Sequence, residues 1–248
     1  MTQTHSRPRE DPTAPSWSTG SPQSMKPLAK AFAAAGFAVE LPLLPGHGTH
    51  VSDMNATSWQ DWSEVIDKAY VDLASRCDRV VVAGLSMGGA LTAWLASRHP
   101  EILGIIVVNP LIDPTAPLWA ALTAAGEAAD GEYLPEVGSD IALPGVVESA
   151  YDAVPIAPLR SLNEALAGLV QALPQITSPA LVFVSPQDHV VDPASSQLLV
   201  ARSSGEATLV ELPNSYHVAT LDYESDLINE RSAAWATELC RQNRQTAG

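Results

Sequence analysis

Apolar and polar positions along this chain alternate between a helical and an extended period. Leu28, Ala31, Phe32 and Ala35 recur at the spacing of one helix face, with Gly36 as the stop and Ser21-Pro22 as N-cap and first helical residue. Phe37–Leu44 reads as a short strand, closed by Pro45-Gly46-His47-Gly48. Thr57 or Ser58 then caps a second helix, with Trp62, Val65, Ile66, Ala69 and Leu73 on one side. Val80-Val81-Val82-Ala83 is a β-branched run that passes through a glycine-flanked turn into the helical Ala90–Arg98, which ends at His99-Pro100. Ile105–Asn109 is apolar throughout, as in a strand covered on both faces of a parallel sheet.

From Leu111 to about Leu173 the alternation stops. Prolines, two short helical patterns and scattered Trp119, Leu122, Leu134, Ile141 and Leu143 predict a cap inserted after a strand. Alternation resumes with Ala180–Ser185 as strand, Pro193–Ala201 as helix, Thr208–Leu212 as strand and Asp226–Leu239 as the last helix. Repeated strand and helix predict an α/β fold: a mainly parallel sheet with helices on both faces. Residues 1–19 are rich in Pro, Thr, Ser and charge, and read as a disordered segment ahead of one domain over 20–248.

Composition narrows the function. Of 248 residues, 46% are apolar, enough for a large core, and the net charge is −15. That charge argues against a nucleic-acid or anionic-membrane partner, since binding phosphates needs a basic patch. No apolar run is long enough to span a bilayer, and the first residues lack the apolar core of a secretory signal. The two cysteines, Cys77 and Cys240, make neither a disulfide framework nor a metal spacing. A cytoplasmic protein is the expectation.

The chemistry centres on Gly84-Leu85-Ser86-Met87-Gly88, a G-x-S-x-G elbow between strand and helix. A serine hydroxyl is a weak nucleophile without a base. The base should be a histidine oriented by a carboxylate, in the chain order serine, acid, histidine. Asp188, after the Ala180–Ser185 strand, and His217, after the next strand, satisfy that order at the same sheet edge as Ser86. Asp192, the rival acid, precedes Pro193 and reads as a helix N-cap. His47 and His50 come too early, His99 ends a helix, and His189 shares a loop with Asp188. His47, His50 and Asp53 lack the further ligands of a metal site, and the proposed chemistry calls for no cofactor. The backbone N–H of Met87 is the expected oxyanion donor.

Three stretches carry a family resemblance: Gly-Leu-Ser-Met-Gly-Gly at the elbow, Val-Ser-Pro-Gln-Asp-His-Val-Val-Asp-Pro around Asp188, and Asn-Ser-Tyr-His-Val-Ala-Thr-Leu-Asp-Tyr around His217. They are similar to bacterial monoacylglycerol lipases and related small carboxylesterases, and Leu43–Gly48 belongs to the same likeness. The resemblance runs from about Thr19 to Ala236. It implies an α/β-hydrolase fold with a cap over about 111–173 and an apolar acyl pocket, acting on monoacylglycerols or short- to medium-chain acyl esters. It puts Asp152 where an acidic cap residue would contact glycerol, and Ser18 at the position of the second oxyanion donor.

One departure is expected to matter. Pro15-Ser16-Trp17-Ser18 stands where the family has a strand and a His-Gly turn, so N-terminal strands are expected to be missing. In the family that strand lies between the Val39 strand and the elbow strand. Three functions are therefore compatible with the sequence: an ester hydrolase, a thioesterase or acyltransferase with the same triad, and an impaired, truncated homologue that binds lipid or a partner.

Overall fold

A computed structural model describes residues 23–117, 119–120, 133–135, 139–148, 151 and 153–246. The helix start predicted at Ser21-Pro22 and the candidates Ser18 and Asp152 lie outside the described residues. The first described helix, α1 (Lys26–Ala34), has Met25 at its N-cap and a proline in its first turn. Leu28 and Phe32 are buried as their spacing predicts, and Gly36 follows the C-cap at φ 90°. A short helix, α2 (Val51–Asn55), precedes α3 (Trp59–Ala74). The backbone N–H of Ser58 donates to Asp61 at the start of α3, the reciprocal half of a capping box.

Next come β1 (Val81–Leu85), α4 (Met87–Arg98) and β2 (Gly104–Val108), then the short β3 (Tyr133–Pro135) and β4 (Ala153–Pro155) and α5 (Ile156–Ala172). The chain ends with β5 (Ala180–Val184), α6 (Ala194–Arg202), β6 (Ala207–Glu211) and α7 (Ser225–Thr246). The main sheet has the order β1-β2-β5-β6 with every pairing parallel. Antiparallel β3 and β4 form a separate ribbon.

Side chains alternate across the parallel strands and divide the core in two. Val82, Ile105, Val107, Ala180 and Val182 pack with α3, α4 and α5. Val81, Ala83, Leu85, Ile106, Val108, Leu181 and Phe183 pack with α1 and α7 on the other face. Burial on both faces explains why these strands read as continuous apolar runs. Helix α4 is buried nearly all round, from Met87 to Ser97, so the sequence shows no polar stripe along it.

Two expectations need correction. Among the described residues Phe37–Leu44 forms no ladder strand. Phe37 and Leu44 are buried, and Val39 and Leu41 pack against the core, yet none pairs with a strand among the described residues. Alternating hydrophobicity reports burial, whereas a strand also needs a neighbour to complete its hydrogen bonds. The second concerns 111–173: of the two short helical patterns expected there, residues 117 and 119–120 are helical, but the last part is the longer, 17-residue α5, whose Leu162, Leu166 and Leu169 join the core shared with α4.

Candidate active site

The elbow starts from backbone geometry. Ser86 sits between β1 and α4 at φ 55° and ψ −120°, a strained conformation for a residue with a side chain. Its N–H donates to the Val108 carbonyl at 3.0 Å, and its carbonyl accepts from Ala90 and Leu111 at 3.2 and 3.1 Å. These bonds fasten the serine to β2, to its own helix and to the chain leaving β2. The glycines permit the close approach. A Cβ on Gly84 would lie 2.1 Å from the Gly88 carbonyl oxygen, and one on Gly89 would lie 2.6 Å from Pro110. Met87 opens α4, so its N–H belongs to the first turn, where amides have no partner within the helix.

Asp188 and His217 are brought together. Asp188 Oδ2 lies 2.7 Å from His217 Nδ1, with the carboxylate side chain 1% and the imidazole 9% exposed. Asp188 Oδ1 accepts the backbone N–H groups of Val190 and Val191, each at 2.8 Å. One oxygen is thus held by its own loop while the other orients the imidazole. An ionised carboxylate can only accept, so Nδ1 carries the proton and Nε2 is the basic nitrogen. Burial pulls the His217 pKa down, but the Asp188 charge and hydrogen bond, followed by the charges of Glu148 and Asp140, raise it above its ordinary value.

Ser86, Asp188 and His217 each follow a strand of one parallel sheet, at the carboxyl edge where α/β sheets build their sites. Asn109 connects two of these loops to the strand beside the elbow. Its Nδ2 donates to Ser185 Oγ at 3.0 Å and to the carbonyls of Tyr216 and His217 at 3.3 and 2.8 Å, while Oδ1 accepts the Ser185 N–H at 2.8 Å. Asn109 itself has φ 43°, a region that asparagine tolerates better than most residues. Asp222 stitches the His217 loop to the segment before β4. Its carboxylate accepts from Ala142, Leu143, Tyr216 and Tyr223 at 2.7–2.9 Å.

Sequence reasoning missed both residues as parts of the site. The signal for Asn109 was faint: an amide at the end of a wholly apolar strand. For Asp222 there was none, because nothing in the sequence marks the amides of Ala142 and Leu143, 80 and 79 residues away, as its partners.

The rival residues have other partners. Asp192 accepts the Ala194 N–H at 2.8 Å, one position ahead of the observed N-cap Pro193. His99 lies between Asp67 and Glu101, at 2.7 and 3.1 Å. His189 pairs with Asp140 at 2.8 Å. His47 Nδ1 meets the Pro45 carbonyl at 3.1 Å, and burial holds its pKa below the usual value. His50 caps α2 by accepting the Ser52 N–H at 3.2 Å. Among the described residues no group of three or more His, Cys, Asp and Glu side chains could hold a metal ion. Glu148 is the described acidic residue of the 111–173 stretch, besides Asp140, whose charge reaches His217.

A parallel sheet covered on both faces, with a strained serine elbow and an acid–histidine pair at one rim, defines a hydrolase class. Residues 11–231 match the profile described as the Alpha/beta hydrolase family, and the chain belongs to that family. It is 46% identical to the thermostable monoacylglycerol lipase of Bacillus sp. (strain H-257) over 215 residues, covering 86% of this chain and 85% of that protein. A solved structure from work on LipS and LipT, two metagenome-derived lipolytic enzymes, superposes with a TM-score of 0.86 at 41% identity, covering 93% of this chain and 94% of the other. Monoglyceride lipase from Saccharomyces cerevisiae, in a soluble variant with a substrate analogue, gives a TM-score of 0.76 at 15% identity, over 92% and 87% of the two chains, a likeness of fold.

Proposed function

We propose that this protein is a serine ester hydrolase acting on monoacylglycerols or short- to medium-chain acyl esters. The observation that carries the reading is the 2.7 Å His217–Asp188 pair, set on the sheet edge that also bears the strained Ser86. Ser86 Oγ attacks the ester carbonyl carbon as His217 Nε2 takes the hydroxyl proton. The tetrahedral oxyanion is met by the Met87 N–H, with Ser18 as the second donor by resemblance. His217 returns the proton to the leaving alcohol, and water then cleaves the acyl-enzyme by the same relay. Asp188 keeps the imidazole in one tautomer and stabilises the imidazolium.

The substrate class follows from the 46% identity to a monoacylglycerol lipase over most of both chains. An acidic cap residue is the natural acceptor for the free hydroxyls of a monoacylglycerol. The resemblance assigns that part to Asp152. We place the protein in the cytoplasm, acting on small acyl esters without a stable membrane anchor. No helix among the described residues is long and apolar enough to cross a membrane.

A fluorophosphonate probe tests the assignment. The native chain is expected to be labelled and Ser86→Ala to lose all label, while the native enzyme releases fatty acid from monoacylglycerols and p-nitrophenyl esters. Label retained in Ser86→Ala, or no ester turnover by the native chain, overturns it.

A further inference from the structure

We propose that Asp140 is a positioning residue for the His217 base, gripping from one side the two loops that carry the acid and the base. The proposal rests on the reading of His217 as the base of an ester hydrolase.

Asp140 reaches both loops from the segment before β4. Its Oδ2 accepts the His217 backbone N–H at 3.1 Å and the His189 backbone N–H at 3.0 Å, while Oδ1 pairs with His189 Nδ1 at 2.8 Å. Its own carbonyl accepts the Val218 N–H at 3.0 Å, so residues 217 and 218 are both held. His189 is the residue next to Asp188. One carboxylate therefore fixes the neighbour of the acid and the backbone of the base together. The His189 ring in turn packs edge-to-face with Tyr216, centroids 4.5 Å apart, just before the base. The Asp140 side chain is only 14% exposed, so little water competes for these bonds, whereas His189 is 61% exposed.

Position and charge act on the same group. The segments that meet at His217 carry several ionisable groups: Asp188 and His189 in the loop after β5, Asp140 and Glu148 in the segment before β4, and Asp222 and Glu224 further along its own loop. Of these, Asp188, Glu148 and Asp140 hold the proton on His217 against the effect of burial. The base works when neutral, so kcat/KM rises as pH climbs through its pKa. Removing the Asp140 charge lowers that pKa and moves the acid limb to lower pH.

Two substitutions separate charge from grip. In Asp140→Asn the amide oxygen can still accept both backbone N–H groups. Its NH2 can donate to His189 Nδ1, because that exposed ring is free to switch tautomer. Charge is lost and geometry kept. In Asp140→Ala both are lost. For Asp140→Asn the acid limb of kcat/KM is expected to move to lower pH with KM little changed. For Asp140→Ala the plateau kcat is expected to fall on the order of tenfold, since the base is less well held.

Titration of the His217 ring by NMR, its signal assigned by its absence in His217→Gln, reads the same downward shift without turnover. An unmoved His217 titration in Asp140→Asn, or an Ala variant with the native plateau kcat, overturns the proposal. A native chain that titrates as expected but hydrolyses no ester overturns the hydrolase reading instead.

Discussion

Ser86 holds a conformation that costs about 1–3 kcal/mol for a residue with a Cβ, and three backbone bonds maintain it. The return is a hydroxyl lifted from the sheet at the start of a helix, where the positive end of the dipole favours developing negative charge. Asp188 is divided just as strictly, with one oxygen for its loop and one for the imidazole. Asp188→Asn tests that division. The amide oxygen is expected to stay with Val190 and Val191, turning the NH2 toward His217 Nδ1 and forcing the proton onto Nε2. Steady-state kinetics should then give kcat lower by about three to four orders of magnitude, with the thermal midpoint nearly unchanged. At this scale the Ser86 elbow and the pairing of Asp188 with His217 were legible because chain order and loop position restrict the choice. Asn109, Asp140 and Asp222 were not, since each reaches backbone partners 49 to 108 residues away and leaves no periodic mark.

Among elements, the joint between β1 and α4 tolerates least change. Helix α4 is buried nearly all round and enters from a strand buried along its whole length, so the two approach closely at their glycines. Gly84→Ala would drive a methyl group to 2.3 Å from the Gly88 carbonyl carbon and 2.7 Å from Thr92 Oγ1. Neither backbone nor a packed helix can yield cheaply. The expected loss is about 3 kcal/mol of stability, read from denaturant unfolding, together with esterase activity as the elbow shifts. Element types were legible where the period was clean, as in α3 and α7, or where the apolar run was continuous, as in β2 and β5. Phe37–Leu44 has the pattern of a strand but lacks a ladder partner among the described residues. In α5 the helical face was obscured by prolines and by its place in a stretch read as irregular.

For the whole molecule, charge and architecture set how substrate is met. A net charge of −15 predicts repulsion from anionic lipid that is screened by salt. A monoacylglycerol carried in phosphatidylglycerol vesicles should be hydrolysed more slowly than in phosphatidylcholine vesicles at low ionic strength. The gap should close as salt is raised, and equal initial rates at low salt would count against it. The sequence by itself determined the alternation of strands and helices, the elbow, and the acid and histidine that follow later strands, because these depend on residue type, spacing and chain order. Only the tertiary structure decided which extended segment joins the ladder and which carboxylates hold the histidine loop, because hydrogen-bond partners are chosen by proximity in space and distant amides carry no identity in the sequence.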